Sequence, residues 1–257
     1  GIAHELRNPL TTIYNALYDL NEIIQPRSED VGEDIAVCMD EIKRVQEIIN
    51  NLLDFAREGE RSIGQTTLNE AVRQTIRLVQ HDLESKNIKV VCEFTEKLPD
   101  VAINGNALKQ ILINLITNAA QAMVFGGTLA IRTTRCKGAV AASTTVAGSI
   151  VEPATDGGSR LRLADPPRSA EEDSQLIDPD EHIAIKISDT GQGICEENLA
   201  HIFNPFFTTK EPGSGTGLGL SVVHALVRDA NGAISVESYP GKGTTFTIEL
   251  PAMAPIR

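Results

Sequence analysis

At 257 residues with 41% hydrophobic content, the chain has the length for one large domain or two small ones and enough apolar side chains for a sizeable core. Its 23 basic against 35 acidic residues leave a net charge of −12, with no basic patch denser than a pair, which argues against a broad nucleic-acid surface. Cys38, Cys92, Cys136 and Cys195 stand more than forty residues apart, so neither a CxxC metal site nor a compact disulfide framework is expected, and a reduced, cytosolic setting fits.

No apolar run approaches the roughly 20 residues of a membrane span, and no signal-peptide pattern opens the chain. Gly1 lies directly inside a helical pattern, so an upstream segment is expected, and any membrane anchor would lie there. From Gly1 to about Gln25, Leu6, Leu10, Ile13, Leu17, Leu20 and Ile24 recur at three- and four-residue steps, the period of an amphipathic helix. His4 falls half a turn from that stripe and should face solvent, with Glu5 beside it and Asn8 one turn on along the same face. Pro9 has no amide to give the carbonyl of Glu5, so the helix should bend close to His4.

After a polar link from about Pro26 to Glu33, Ile35, Cys38, Ile42, Val45, Ile49, Leu52 and Ala56 hold a coiled-coil spacing. Two helices with a short connection form an antiparallel hairpin that buries only one side of each. Pairing with a second copy into a four-helix bundle is therefore expected over residues 1–60, making the protein a homodimer.

Arg57 to Thr67 is polar and contains glycine, the composition of a boundary, and a second domain is expected over residues 66–252. There Asn69 is placed to cap a helix running to about Ser85, with Val72, Ile76, Val79 and Leu83 inward. Ile88 to Thr95 alternates as a strand, and Pro99 to Ile103 reads as a shorter one. The spacing predicts a helix over Asn106 to Met123, with Leu108, Leu112, Leu115, Ile116, Ala119 and Met123 on one apolar face. Asn114 and Asn118 point the other way, one turn apart, near Gln110 and Gln121. Carboxamide oxygens suit a hard cation, and Mg2+ takes one or two protein ligands with waters and nucleotide phosphates, so this face is either a Mg–nucleotide contact or a plain hydrophilic helix face. Gly126 and Gly127 turn the chain into a strand over Thr128 to Thr134. From Cys136 to about Asp180 no periodicity survives, and a disordered insert is expected over residues 136–180.

The strand Ile183 to Ile187 delivers Asp189 into Thr190-Gly191-Gln192-Gly193, where one carboxylate meets a turn whose backbone can approach a ligand closely. After a helical turn over Glu196 to Leu199, Phe203, Phe206 and Phe207 cluster as core. Thr208 to Ser214, with Lys210, reads as a mobile loop able to close over a ligand. Gly215, Thr216, Gly217, Leu218 and Gly219 then lead into a helix over Leu218 to Asp229, placing free amides and a positive helix end beside an anion. Strands Ala233 to Ser238 and Thr244 to Leu250 are joined by a Tyr239 to Gly243 hairpin whose end brings Thr244 towards a base. A carboxylate for a base and amides for phosphates together suggest a purine nucleotide. No P-loop and no dinucleotide fingerprint occurs, so the phosphate contacts must differ from those. Strands interleaved with three helices imply one mixed sheet covered on one face, and the expected fold class is α+β: a helical hairpin followed by an α/β sandwich.

Together these stretches resemble the sensor histidine kinases of two-component signalling. His4-Glu5-Leu6-Arg7-Asn8-Pro9-Leu10 is similar to the family's H box, Asn114 to Ala119 to its N box, Asp189 to Gly193 to its G1 box, Phe203 to Phe207 to its F box and Gly215 to Gly219 to its G2 box. The resemblance covers nearly the whole chain, in order. It implies a dimerising hairpin that bears the phosphoacceptor and an ATP-binding domain of the GHKL type. By the same resemblance Asp189 accepts a hydrogen bond from the adenine amino group, Gly191 and Gly193 let the backbone approach, and Asn118 ligates Mg2+ with Asn114 in support. Gly215, Gly217 and Gly219 cradle phosphates under a lid containing Lys210.

The implied reaction is autophosphorylation, in which neutral His4 attacks the γ-phosphoryl of ATP in line and Glu5 orients His4 or takes its proton. The phosphoryl then passes to an Asp of a response-regulator receiver domain, and Asn8, in an E-x-x-N pattern with Glu5, implies phosphatase activity toward that regulator. The chain departs from the family pattern at Gln121, where basic residues are frequent, and in the long insert before Asp189. Two rival readings are a catalytically silent nucleotide-binding dimeric scaffold and another GHKL ATPase or serine kinase.

Overall fold

The computed structural model describes residues 13–18, 20, 35, 38, 39, 42, 65–137, 150–153, 159–163, 177–210 and 216–254. The chain divides into two compact units, Gly1–Arg61 with Asn204–Gly219, and Ser62–Phe203 with Leu220–Arg257. In the first, residues 13–18, 20, 35, 38, 39 and 42 are helical, and Ile35 and Met39, one turn apart, are buried. His4, Glu5, Asn8 and the link between the two expected helices lie outside the described residues. Among the described residues no helix is long and apolar enough to cross a membrane.

The second unit is built on β1 (Gln65–Thr66), α1 (Leu68–Ser85), β2 (Ile88–Phe94), β3 (Val101–Ala102), α2 (Gly105–Ala122), β4 (Gly127–Lys137), β5 (Ile150–Pro153), β6 (Ser159–Leu163), β7 (Ile177–Asp189), α3 (Glu196–Leu199), α4 (Gly219–Asp229), β8 (Ala233–Tyr239) and β9 (Gly243–Met253). The main path of the sheet runs β2-β4-β7-β9-β8-β6-β5, with β3 pairing β9 and β1 pairing β3. Among the described strands only β2 and β4 pair in parallel, so the sheet is mixed and the fold is α+β.

Period-2 alternation decides which face is the core. Ile183, Ile185 and Ile187 of β7 lie opposite Leu250, Ile248 and Phe246 of β9, and all six are buried. On α2, Leu108, Ile111, Leu112, Leu115 and Ile116 are at most 1% exposed. Each such side chain removed from water contributes about 1.5–3 kcal/mol, so this layer dominates the stability of the unit. Asn104 caps α2 by accepting from the Asn106 amide at 2.8 Å.

Two expectations are corrected. Asn69 does not cap α1: Thr67 holds the cap position with its hydroxyl donating to Asp100 Oδ1 rather than capping the helix, and Asn69 instead donates to the Thr95 carbonyl at 2.9 Å and accepts from the Thr133 hydroxyl at 2.8 Å. Thr133 is buried and also accepts from the Thr95 amide, so Asn69 ties the start of α1 to the sheet. The segment 136–180, expected to lack structure, contributes strands. β4 runs on to Lys137, β7 starts at Ile177, and β5 and β6 form an antiparallel pair whose inner strand pairs with β8. Leu161, opposite Val236, is 1% exposed, and Arg160 pairs with Glu237. Strand edges recruit chain through backbone bonds, and the Ala, Gly, Ser and Thr around these short strands conceal that in the sequence.

Loss of Asn69 should leave Thr133 without its acceptor, and Asn69→Ala should cost about 1–3 kcal/mol in urea unfolding. Asn69→Asp caps equally well but cannot donate to Thr95, so it should be destabilised too; full stability in the aspartate variant would restore the capping role.

Candidate functional site

β7 ends on Asp189, and the turn beyond it is held from three sides. Asp189 is 8% exposed, and its Oδ1 accepts from the Gly191 amide at 2.8 Å and the Thr244 amide at 3.3 Å. Both of these bonds fall on Oδ1, which leaves Oδ2 as the carboxylate's acceptor for a ligand. Burial pushes the Asp189 carboxyl above the usual carboxylate range, and the two amides pull against it. The Gln192 amide donates to the Ala122 carbonyl at the end of α2, and the Gly241 amide donates to the Gln192 carbonyl. Thr190 Oγ1 accepts from the Thr128 amide at 3.0 Å, and the Ile194 amide donates to Ser238 Oγ at 2.8 Å.

These contacts explain the glycines in another way than close approach to a ligand. A Cβ on Gly191 would lie 2.7 Å from the Ala122 carbonyl oxygen, and one on Gly193, whose φ is 70°, would strike the Tyr239 carbonyl. Glycine is required at both positions by protein backbone. Asn114 and Asn118 are half-buried on α2, away from the stripe of Leu108, Leu112, Leu115, Ile116, Ala119 and Met123, all of which are buried. Among the described residues no three His, Cys, Asp or Glu side chains cluster as a metal site.

The glycine-rich turn belongs to the other compact unit. Gly215 lies outside the described residues. Gly217 has φ of 67°, its carbonyl accepts from the Phe206 amide at 3.0 Å, and a Cβ there would strike Phe206 backbone. Thr216 Oγ1 accepts weakly from the Leu218 amide, Leu218 is buried, and Gly219 opens α4. Lys210 is exposed, and its amide donates to Thr208 Oγ1. The expected Phe core is only partly formed. Phe203 packs on His224 with ring centroids 5.6 Å apart, whereas Phe206 is 64% exposed with φ of 66°. Sequence reasoning missed Thr190, Ala122 and Ser238, since a hydroxyl in an alternating strand or a small residue ending a helix carries no signal of its partner.

Residues 1–61 match the family model of the His Kinase A (phospho-acceptor) domain, and residues 103–254 match that of the histidine kinase-, DNA gyrase B- and HSP90-like ATPases. The chain belongs to the sensor histidine kinase family. It is 30% identical over 251 residues to the sensor histidine kinase ZraS of Escherichia coli, a match that takes in 98% of this chain and 44% of that protein. It thus spans less than half the length of that curated relative. Its fold is similar to that of full-length ShkA in complex with AMPPNP, with TM-score 0.63 and 22% identity over 98% of this chain and 45% of that one. It is also similar to ThkA in complex with the response regulator TrrA, with TM-score 0.59 and 23% identity over 98% of this chain and 60% of that one.

Because burial raises the folded carboxyl's pKa, the contribution of Asp189 to stability is complete below the ordinary carboxylate range and is lost as pH climbs through the raised value. Asp189→Asn keeps an oxygen for Gly191 and Thr244 without the charge. In nucleotide-free protein it should unfold at the same or a higher urea concentration than the parent at pH 7, with any advantage gone below about pH 4. A variant clearly less stable at neutral pH would contradict this account of the carboxylate.

Proposed function

We propose that the chain binds Mg–ATP, phosphorylates itself on His4 and passes the phosphoryl group to an Asp of a response-regulator receiver domain. The observation that carries this reading is the union in one chain of a phosphoacceptor match over residues 1–61 with an ATPase match over residues 103–254, the latter containing the buried Asp189 acceptor.

Asp189 Oδ2 takes the adenine amino group, and Thr244 lies beside it through the bond of its amide to Oδ1. Gly191 and Gly193 shape the turn next to the base. Asn118 offers its carboxamide oxygen to Mg2+, and Asn114 supports it one turn away. Gly215, Thr216, Gly217, Leu218 and Gly219 receive the phosphates, with Lys210 above them. ATP supplies the phosphoryl group, and Mg2+ supplies charge that neutralises its oxygens. His4 attacks the γ-phosphorus through a neutral imidazole nitrogen as the bond to the β,γ-bridging oxygen breaks and ADP leaves, and Glu5 orients the ring or accepts its proton. Asn8 positions water for the reverse duty, removal of phosphate from the regulator.

AMPPNP in the ShkA complex supports the nucleotide, and TrrA in the ThkA complex supports the receiver domain as partner. Ile13, Tyr18 and Leu20 are each nearly half exposed in a single copy, which supports burial against a second copy in a homodimer. The net charge of −12 argues against nucleic acid as a partner.

Incubation with γ-labelled Mg–ATP should place the label in an acid-labile, alkali-stable bond that is absent from His4→Gln. Asn118→Ala should slow labelling by more than about a hundredfold, because positioned charge supplies most of the catalysis in phosphoryl transfer. Label that persists in His4→Gln would remove the mechanism, and nucleotide binding without label would favour the silent scaffold.

A further inference from the structure

Ser238 stands directly across the β8–β9 ladder from Thr244, and its side chain is fully buried. Three groups converge on its Oγ. The Ile194 amide donates to it at 2.8 Å, Thr244 Oγ1 lies 2.9 Å away, and the Gly243 carbonyl lies 3.3 Å away. A hydroxyl has one proton and two lone pairs. One lone pair is committed to Ile194; the proton goes either to Thr244 Oγ1, or to the Gly243 carbonyl while Thr244 donates to the second lone pair. The 2.9 Å Ser238–Thr244 bond is made in either case, and only in the first does Thr244 keep its own proton.

The consequence falls on Thr244. Its amide already donates to Asp189 Oδ1, and in the first arrangement its hydroxyl, accepting a hydrogen bond from Ser238, has its own proton for another acceptor. A donor hydroxyl then stands beside an acceptor carboxylate. Adenine presents the complement, a ring nitrogen N1 that accepts and a 6-amino group that donates. Guanine presents the reverse pair, a ring N1–H and an O6 that accepts, which leaves both protein groups mismatched.

We propose that Ser238 is the positioning residue for base selection: its buried hydroxyl sets Thr244 as a donor and, through the Ile194 amide, pins the turn that carries Gly191 and Gly193. The inference rests on the reading of Asp189 as the acceptor for adenine. Ser238 touches no nucleotide in this account and acts through Thr244 and Ile194.

The test has a readout without nucleotide and one with it. In nucleotide-free protein, Ser238→Ala should speed hydrogen exchange at the Ile194 amide, which loses its acceptor. In equilibrium binding without metal, the preference for ADP over GDP should fall by about tenfold, the upper range for one ordered hydrogen bond. In a Thr244→Val background the same substitution should remove no further preference, because both changes break one pathway.

A role in packing alone would weaken ADP and GDP alike and add to the Thr244→Val effect, and that result overturns the proposal. Should Ser238→Ala fail to fold, Ser238→Cys keeps a weak donor and should give an intermediate preference; an unchanged preference in it is equally fatal. If Ser238→Ala leaves the preference intact while Asp189→Asn lowers it, the positioning role fails and the base reading stands. If Asp189→Asn leaves it intact as well, both fail.

Discussion

Two backbone amides on one carboxylate oxygen organise the turn that follows β7. The Gly191 and Thr244 amides both donate to Asp189 Oδ1, so a single buried side chain joins the end of β7, the turn beyond it and the start of β9. A buried carboxylate is costly, and burial does raise its pKa. A fold built only for stability would place an amide or an apolar residue there. Keeping the charge, with one oxygen satisfied and the other left over, makes sense where a ligand is to supply the missing donor.

The rest of the second unit serves to hold that carboxylate still. α2 ends at Ala122, whose carbonyl receives the Gln192 amide, and the β8–β9 hairpin closes on the same turn through Gly241 and Ser238. Behind them the isoleucines of β7 and β9 pack in the core with the apolar stripe of α2, a layer with no room to shift. Residues 204–210 and 216–219 are different in kind. Phe206 adopts a positive φ with its ring largely in solvent, and Gly217 meets its backbone, so this stretch is shaped by local turns rather than by a deep core.

Most of the scaffold was legible because it obeys periodicity. Residues 183–187 and 244–250 alternate, α2 shows its stripe, and Asp189 followed by spaced glycines marks the turn. What periodicity cannot show is which partner a polar residue finds. Asn69 has the chemistry of a cap, but a buried Thr133 and the Thr95 carbonyl offered it better-satisfied bonds. Gly191 and Gly193 read as openings for a ligand, while the groups that demand glycine are the Ala122 and Tyr239 carbonyls, far away in sequence. β5 and β6 escaped notice because a sheet edge supplies their backbone partners. Ser238 gave no sign at all, since its importance depends on register with Thr244.

We propose the unshared oxygen of Asp189 as the group that recognises the amino group of adenine. The most direct measurement is the affinity of the nucleotide-free protein for ADP against that for the same diphosphate carrying unsubstituted purine, which lacks only the 6-amino group. The parent protein should bind the purine compound at least about tenfold more weakly, because a buried acceptor is left unpaired, and Asp189→Ala should bind the two alike. Equal affinity of the parent protein for both compounds would contradict it.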